Sequence, residues 1–194
     1  MSTPVSRVAV IIGSVRKGRF GPTAAKWFAE RAAAHDDVEL DIIDLVDFDL
    51  PTVLTDTPAQ DVKAKLGELD TRLTAADAFV VITPEYNHSY PASLKAFIDW
   101  HFTHWRAKPI GLISYGGQAG GLRAVEHLRQ VFAELHAVTI RDSISFYNYP
   151  DQFNADGTLK DPAAAEAAAK TLLDQLTWWS LALGEARAKR PYTA

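Results

Sequence analysis

The chain contains no cysteine. That absence excludes disulfides, thiolate metal sites, cysteine nucleophiles and any dithiol relay, so redox chemistry here requires a bound cofactor. No apolar stretch approaches the roughly 18 residues of a membrane span. The opening MSTPVSRVAVIIGS holds only a short apolar run before glycine and does not read as a signal peptide. An excess of positive charge is also missing. Twenty Lys and Arg stand against 24 Asp and Glu, a formal charge of -4, which argues against broad binding to nucleic acid or anionic membranes. The expected location is the cytoplasm, with no membrane or nucleic-acid partner.

What is present fits one globular domain over residues 1–194. Apolar residues make up 47% and charged residues 23%, with ample length for a real core. Five short apolar runs recur along the chain: Val8–Ile12, Val38–Ile43, Ala78–Ile82, Ile110–Ile113 and Val138–Ile144. Several are continuous rather than alternating, as in strands covered on both faces by helices. Helical patterns separate them, at Pro22–Ala34, Thr57–Ala75, Pro91–Phe102 and Gln118–His136. A last helix is expected after Asp161, read as its N-cap, with Pro162 in the first turn and an end near Arg187. This alternation predicts an α/β fold: a doubly wound, five-stranded parallel sheet in the order 2-1-3-4-5, with helices on both faces. Ligands of such sheets bind at the carboxyl ends of the strands beside the switch point, so function is sought in the loops there.

The loop after the first strand runs Gly13-Ser14-Val15-Arg16-Lys17-Gly18-Arg19-Phe20-Gly21-Pro22-Thr23. Backbone N–H groups at the helix start formed by Gly21, Pro22 and Thr23, with the Ser14 and Thr23 hydroxyls, are suited to a phosphate that Arg16 or Arg19 neutralises. Gly13 and Gly18 match the glycines of the triphosphate loop, but Arg19 and Phe20 stand where its lysine and metal-binding hydroxyl belong. The dinucleotide glycine pattern is absent as well. A metal-free monophosphate therefore fits better than ATP or a tightly bound NAD. After the third strand, Pro84-Glu85-Tyr86-Asn87 forms a stiff turn able to present backbone groups to the polar edge of a flat ring, with Tyr86 as an apolar wall. The loop after the fourth strand, Ser114-Tyr115-Gly116-Gly117, allows close backbone approach and places Tyr115 near a ring.

Together the Gly13-Ser14-x-Arg16 loop, the Pro84-Glu85-Tyr86-Asn87 tetrad followed by Leu94-Lys95, and Ser114-Tyr115-Gly116-Gly117 resemble the NADPH-dependent FMN reductase family. The resemblance covers about Val8 to Phe146. It implies a flavodoxin-like fold, noncovalent FMN, and a homodimer or homotetramer. It also implies electron transfer from NADPH or NADH to a small-molecule acceptor: free flavin, a quinone, an azo compound or an oxidised metal ion. By the same resemblance Ser14 and Arg16 hold the FMN phosphate, and Pro84, Glu85, Tyr86 and Asn87 line the isoalloxazine, largely through backbone groups. Many members carry serine and asparagine where this chain has Arg19 and Gly21; here Arg19 adds charge and Thr23 keeps a hydroxyl nearby.

The alternative reading is a flavodoxin-type electron carrier with a protein partner, although such carriers are strongly acidic and their phosphate loops lack the arginine pair. A third is a nucleotide-binding regulatory module. His88, His101 and His104 form no recognisable metal motif, and Asn154-x-Asp156-Gly157 reads as a turn rather than a calcium loop. Trp100, Trp105, Trp178 and Trp179 read as core or subunit-contact residues.

Overall fold

In the computed structural model, which describes residues 5–193, five strands form one parallel sheet in the order β2-β1-β3-β4-β5. The strands are β1 (Ser6–Ile12), β2 (Val38–Asp44), β3 (Ala78–Pro84), β4 (Pro109–Gly116) and β5 (Val138–Tyr147). The helices are α1 (Gly21–Ala32), α2 (Gln60–Ala75), α3 (Ala92–Trp100), α4 (Leu122–Glu134), a short α5 (Tyr149–Gln152) and α6 (Ala163–Lys189). Strand order and parallel pairing agree with the expectation from the apolar runs. The first four residues, where the chain's start was read, lie outside the described part.

The pleat explains the two-sided core. Val8, Val10 and Ile12 of β1, with Ala78, Val80 and Ile82 of β3, face α1 and α6. Ala9 and Ile11, with Phe79 and Val81, face α2, α3 and α4. Successive side chains of a strand point to opposite faces, so a strand buried on both reads as a near-continuous apolar run. β3 is buried at every position and apolar at all of them but Thr83.

Element boundaries shift from the apolar periodicity in instructive ways. α4 starts at Leu122 rather than Gln118, because Gly120 and Gly121 adopt left-handed backbone just before it. α2 starts at Gln60, three residues later than the pattern suggests, with Ala59 as its cap. The expected cap at Asp161 is corrected: Pro162 occupies the N-cap position of α6 with near-helical angles, and no side chain caps the helix. The carbonyl of Pro162 already accepts from the Glu166 N–H at 2.8 Å, and proline's fixed φ suits the first turn. α5 and the 3₁₀ turn Leu45–Asp47 are too short to leave a periodic trace.

Candidate functional site

β1 ends beside β3 and α3, and both hold the loop that follows. The Gly13 N–H donates to the Ile82 carbonyl at 2.9 Å, and Ser93 Oγ donates to the Gly13 carbonyl at 2.7 Å. Ser14 is buried. Its Oγ lies 2.8 Å from the Tyr86 hydroxyl and accepts from the Arg16 N–H at 3.4 Å. The loop closes through the Arg19 N–H and the Arg16 carbonyl at 3.2 Å. The N–H groups of Val15, Lys17 and Gly18 donate to no acceptor among the described residues. Unpartnered amides gathered before a helix start form a ready anion cradle.

The three cations of this loop divide. Arg16 and Lys17 are exposed and belong to no ion pair among the described residues. Arg19 instead reaches Asp44 at the end of β2, with Nη2 to Oδ2 at 2.5 Å. Both side chains of that pair are mostly buried, and the other Asp44 oxygen accepts from the Val46 N–H at 3.2 Å. Thr23 is half-buried and borders the 149–158 segment, where a Cβ added to Gly157 would meet its methyl at 3.2 Å. Its backbone N–H is bonded to the Phe20 carbonyl at 2.9 Å. Pro22 is exposed and Gly21 buried.

After β3 the chain makes a tight reversal. Tyr86 and Ser89 exchange both backbone hydrogen bonds, at 2.8 and 3.1 Å, across Asn87 and His88 at φ 49° and 76°. Two successive positive φ values are the signature of a type I′ turn. The turn consumes both main-chain groups of Tyr86, and the Glu85 N–H donates to the Tyr115 carbonyl at 3.2 Å. The broad expectation of backbone donors from this tetrad therefore narrows to the Asn87 N–H, which has no acceptor among the described residues. The Glu85 side chain is buried and ion-paired with Arg123, whose Nη1 also donates to His88 Nδ1 at 3.3 Å. Because guanidinium only donates, His88 carries its proton on Nε2 in this arrangement.

The third loop is internally bonded. Ser114 Oγ and Ser145 Oγ both donate to the Gly120 carbonyl, at 2.8 and 2.9 Å. Gly117, exposed, accepts at its carbonyl from the Gly120 and Asn148 N–H groups, each at 3.0 Å. Gly121 sits at φ 85°, and a Cβ there would come within 2.7 Å of Ser114 Cβ. Tyr115 is 4% exposed, so it is not the open wall for a ring that its place in the loop suggested. Its ring meets Phe20 and Tyr149 edge-on, at centroid distances of 5.1 and 5.4 Å. Burial first, and then neighbouring Tyr86, push its phenol well above the ordinary range, while Ser14 and the Gly21 N–H pull the other way. The hydroxyl oxygen is buried with no hydrogen-bond partner among the described residues.

The remaining histidines lie elsewhere. His101 is fully buried and bonded to the Phe97 carbonyl at 2.7 Å, and desolvation lowers its pKa. It shares Asp70 with His104 at 3.8 and 3.4 Å. Among the described residues no group of three or more His, Asp or Glu is placed to hold a metal ion. The 154–157 segment is the expected turn, with Asp156 Oδ1 accepting from the N–H and hydroxyl of Thr158 at 2.9 and 2.7 Å. Sequence reasoning missed Asp44, Arg123 and Tyr149. Only the strand order places Asp44 at the same edge as Arg19, and no local motif marks the other two.

A doubly wound sheet whose carboxyl-end loops gather unpartnered amides, a buried serine and unpaired cations belongs to the nucleotide-binding class of α/β proteins. The sequence profile of NADPH-dependent FMN reductases matches residues 6–151, and the chain belongs to that family. It is 31% identical to a quinone reductase of Escherichia coli strain K12 over 186 residues, covering 92% of this chain and 94% of that one. An NAD(P)H-dependent FMN reductase of Schizosaccharomyces pombe is 35% identical over 122 residues, a match that spans 59% of this chain and 60% of that protein. Among solved structures, the flavoenzyme NAD(P)H:(acceptor) oxidoreductase FerB from Paracoccus denitrificans superimposes with a TM-score of 0.72. It is 26% identical, covering 91% of this chain and 97% of that one. These relatives are oxidoreductases and do not favour the electron-carrier alternative. Among the described residues no helix is long and apolar enough to cross a membrane.

Proposed function

We propose that the crevice at the carboxyl ends of β1, β3 and β4 binds FMN, and that the protein passes electrons from NADPH or NADH to a small-molecule acceptor. One observation carries this reading: loops far apart in sequence meet at a single point, where Ser14 Oγ and the Tyr86 hydroxyl are 2.8 Å apart. In this reading the free amides of Val15, Lys17 and Gly18, the Ser14 hydroxyl and the Arg16 guanidinium hold the phosphate. Gly21 and Pro22 start α1, whose positive end faces the same anion. Arg19, committed to Asp44, shapes the loop without touching phosphate, and Thr23 contributes helix start rather than a ligand hydroxyl.

On the ring side, Pro84, Glu85, Tyr86, Gly116 and Gly117 form the wall, with Asn87 N–H as a donor to the polar edge. Ser114 holds the turn that shapes this wall. FMN, when bound, supplies the hydride chemistry; the protein's residues orient it and stabilise negative charge. No side chain is assigned as acid or base. The acceptor is a free flavin, a quinone, an azo compound or an oxidised metal ion. We place the reaction in the cytoplasm, where reduced nicotinamide is held, and in a homodimer or homotetramer. The test is an absorbance spectrum of the purified protein with FMN, followed by anaerobic NADPH or NADH. Loss of the flavin band near ~450 nm within seconds is the expected result. A protein that does not bind FMN would remove the reading.

A further inference from the structure

Tyr115 carries an oxygen that packing alone does not explain. It is the penultimate residue of β4, paired with Pro84 of β3 and Phe146 of β5. Its ring contacts with Phe20 and Tyr149 would survive in a phenylalanine, whereas a buried hydroxyl without a partner is a liability that native structures rarely keep. The oxygen lies under the phosphate loop. A Cβ built on Gly21 would sit 3.4 Å from it and 2.6 Å from Ile12 Cγ2. Glycine at this first turn therefore leaves room for Ile12, and the phenol oxygen lies in contact range of the same position. Ser14 is near enough to act on that oxygen without a hydrogen bond forming, and desolvation keeps the phenol protonated.

We propose that Tyr115 is a positioning residue of the phosphate site: its hydroxyl, acting on Ser14 and the Gly21 N–H, selects a flavin that ends in a phosphomonoester. The proposal rests on the FMN reading of the crevice. The direction of the hydrogen bonds gives the reason. In this structure the phenol bonds neither the Gly21 N–H nor Ser14 Oγ; a phosphate that takes the Ser14 proton leaves the serine oxygen as an acceptor for the phenol, and a chain of hydroxyls polarised this way donates more strongly. Without an anion, Ser14 Oγ is engaged with the Tyr86 hydroxyl, at 2.8 Å. An anionic phosphate oxygen is a better acceptor than a phenol. The benefit of Tyr115 is thus expressed only with a phosphate at the loop. Riboflavin has the same ring and ribityl chain but no phosphate, and should be indifferent to it.

The experiment is equilibrium titration of the full-length protein with FMN and with riboflavin, for the parent, Tyr115→Phe, Ser14→Ala and the double variant. The parent should prefer FMN; equal affinities would sink the phosphate-loop reading itself and this proposal with it. Given that preference, Tyr115→Phe should raise the FMN Kd about tenfold and move the riboflavin Kd by less than about twofold. The Tyr115→Phe effect should shrink in the Ser14→Ala background. If both flavins weaken equally, or neither does, Tyr115 is only a core aromatic and the proposal is overturned. Thermal unfolding of the ligand-free variant should match or exceed the parent, since only an unpartnered buried oxygen is lost. Should Tyr115→Phe not fold, Tyr115→3-fluorotyrosine keeps the ring contacts and strengthens the donor. A change in FMN affinity without one in riboflavin affinity supports the role, and no difference between the two overturns it.

Discussion

The two ends of the same sheet treat their polar groups in opposite ways. At the amino end, Lys108 is 9% exposed, yet its Nζ donates to the carbonyls of Leu73 and Thr74 at 2.8 and 3.4 Å. Arg187 bonds the Ala107 carbonyl at 2.5 Å, the Asp77 carboxylate accepts from the Arg7 N–H at 3.0 Å, and Ser180 donates to Ser6 at 3.0 Å. Each group there closes on another part of the chain. At the carboxyl end, among the described residues, Val15, Lys17 and Gly18 keep free amides, Arg16 keeps a free charge and Tyr115 an unpartnered hydroxyl. The loop amides and Arg16 are exposed, so leaving them unpaired costs the fold little, whereas the buried Tyr115 hydroxyl does cost stability; the contrast separates groups that hold the fold from groups left available to a ligand.

The largest effect that bears on this contrast is expected at Gly121. Gly121→Val forces a β-branched side chain into left-handed backbone and against Ser114, and should destabilise the protein by about 3 kcal/mol or more in denaturant unfolding. Unchanged stability would mean the third loop is as pliable as an ordinary turn. Next comes Arg16→Ala. Loss of a charge-assisted contact to phosphate should weaken FMN about 30- to 100-fold while leaving the unfolding midpoint of the ligand-free protein unmoved. Equal FMN affinity in variant and parent removes Arg16 from the phosphate site.

The amino end should answer to pH instead. Burial first, then Arg187, lowers the Lys108 pKa from 10.5 to about 8. Between those values the unfolded chain holds a proton that the folded chain has released, so unfolding free energy rises with pH across the window. The penalty of burying the charge is fully present below pH about 8 and is on the order of 3 kcal/mol. Lys108→Met should flatten that part of the profile, and profiles that stay parallel from pH 8 to 10.5 would show that Lys108 titrates normally. The smallest effect is expected away from both ends. Lys170→Ala removes an exposed ion pair with Asp174 at 2.6 Å on α6, and should change stability by less than about 0.5 kcal/mol and FMN affinity not at all.

The legible part of the molecule was the part written in local patterns. A strand covered on both faces reads as a continuous apolar run, and Ala78–Ile82 shows that run inside the strand it becomes. The glycine- and hydroxyl-bearing loops were likewise visible, and the strand order brought three of them to one edge. Helix starts were less legible, because an amphipathic pattern can run past the point where glycine or proline breaks the backbone, as before Leu122 and at Pro162.

Local sequence by itself determined which segments are strands, their order in the sheet and which loops carry phosphate-type chemistry, since periodicity and connection handedness act over short stretches. Tertiary structure alone decided how those residues are used. Arg16 and Arg19 are three positions apart and chemically alike, yet Asp44, 25 residues from Arg19, takes one and leaves the other free. Tyr115 and Tyr86 both belong to glycine- or proline-bounded loops, yet one is buried against Phe20 and Tyr149 and the other is half-buried with its hydroxyl on Ser14. Pairing and burial depend on what the fold brings from far along the chain. No local window holds that information.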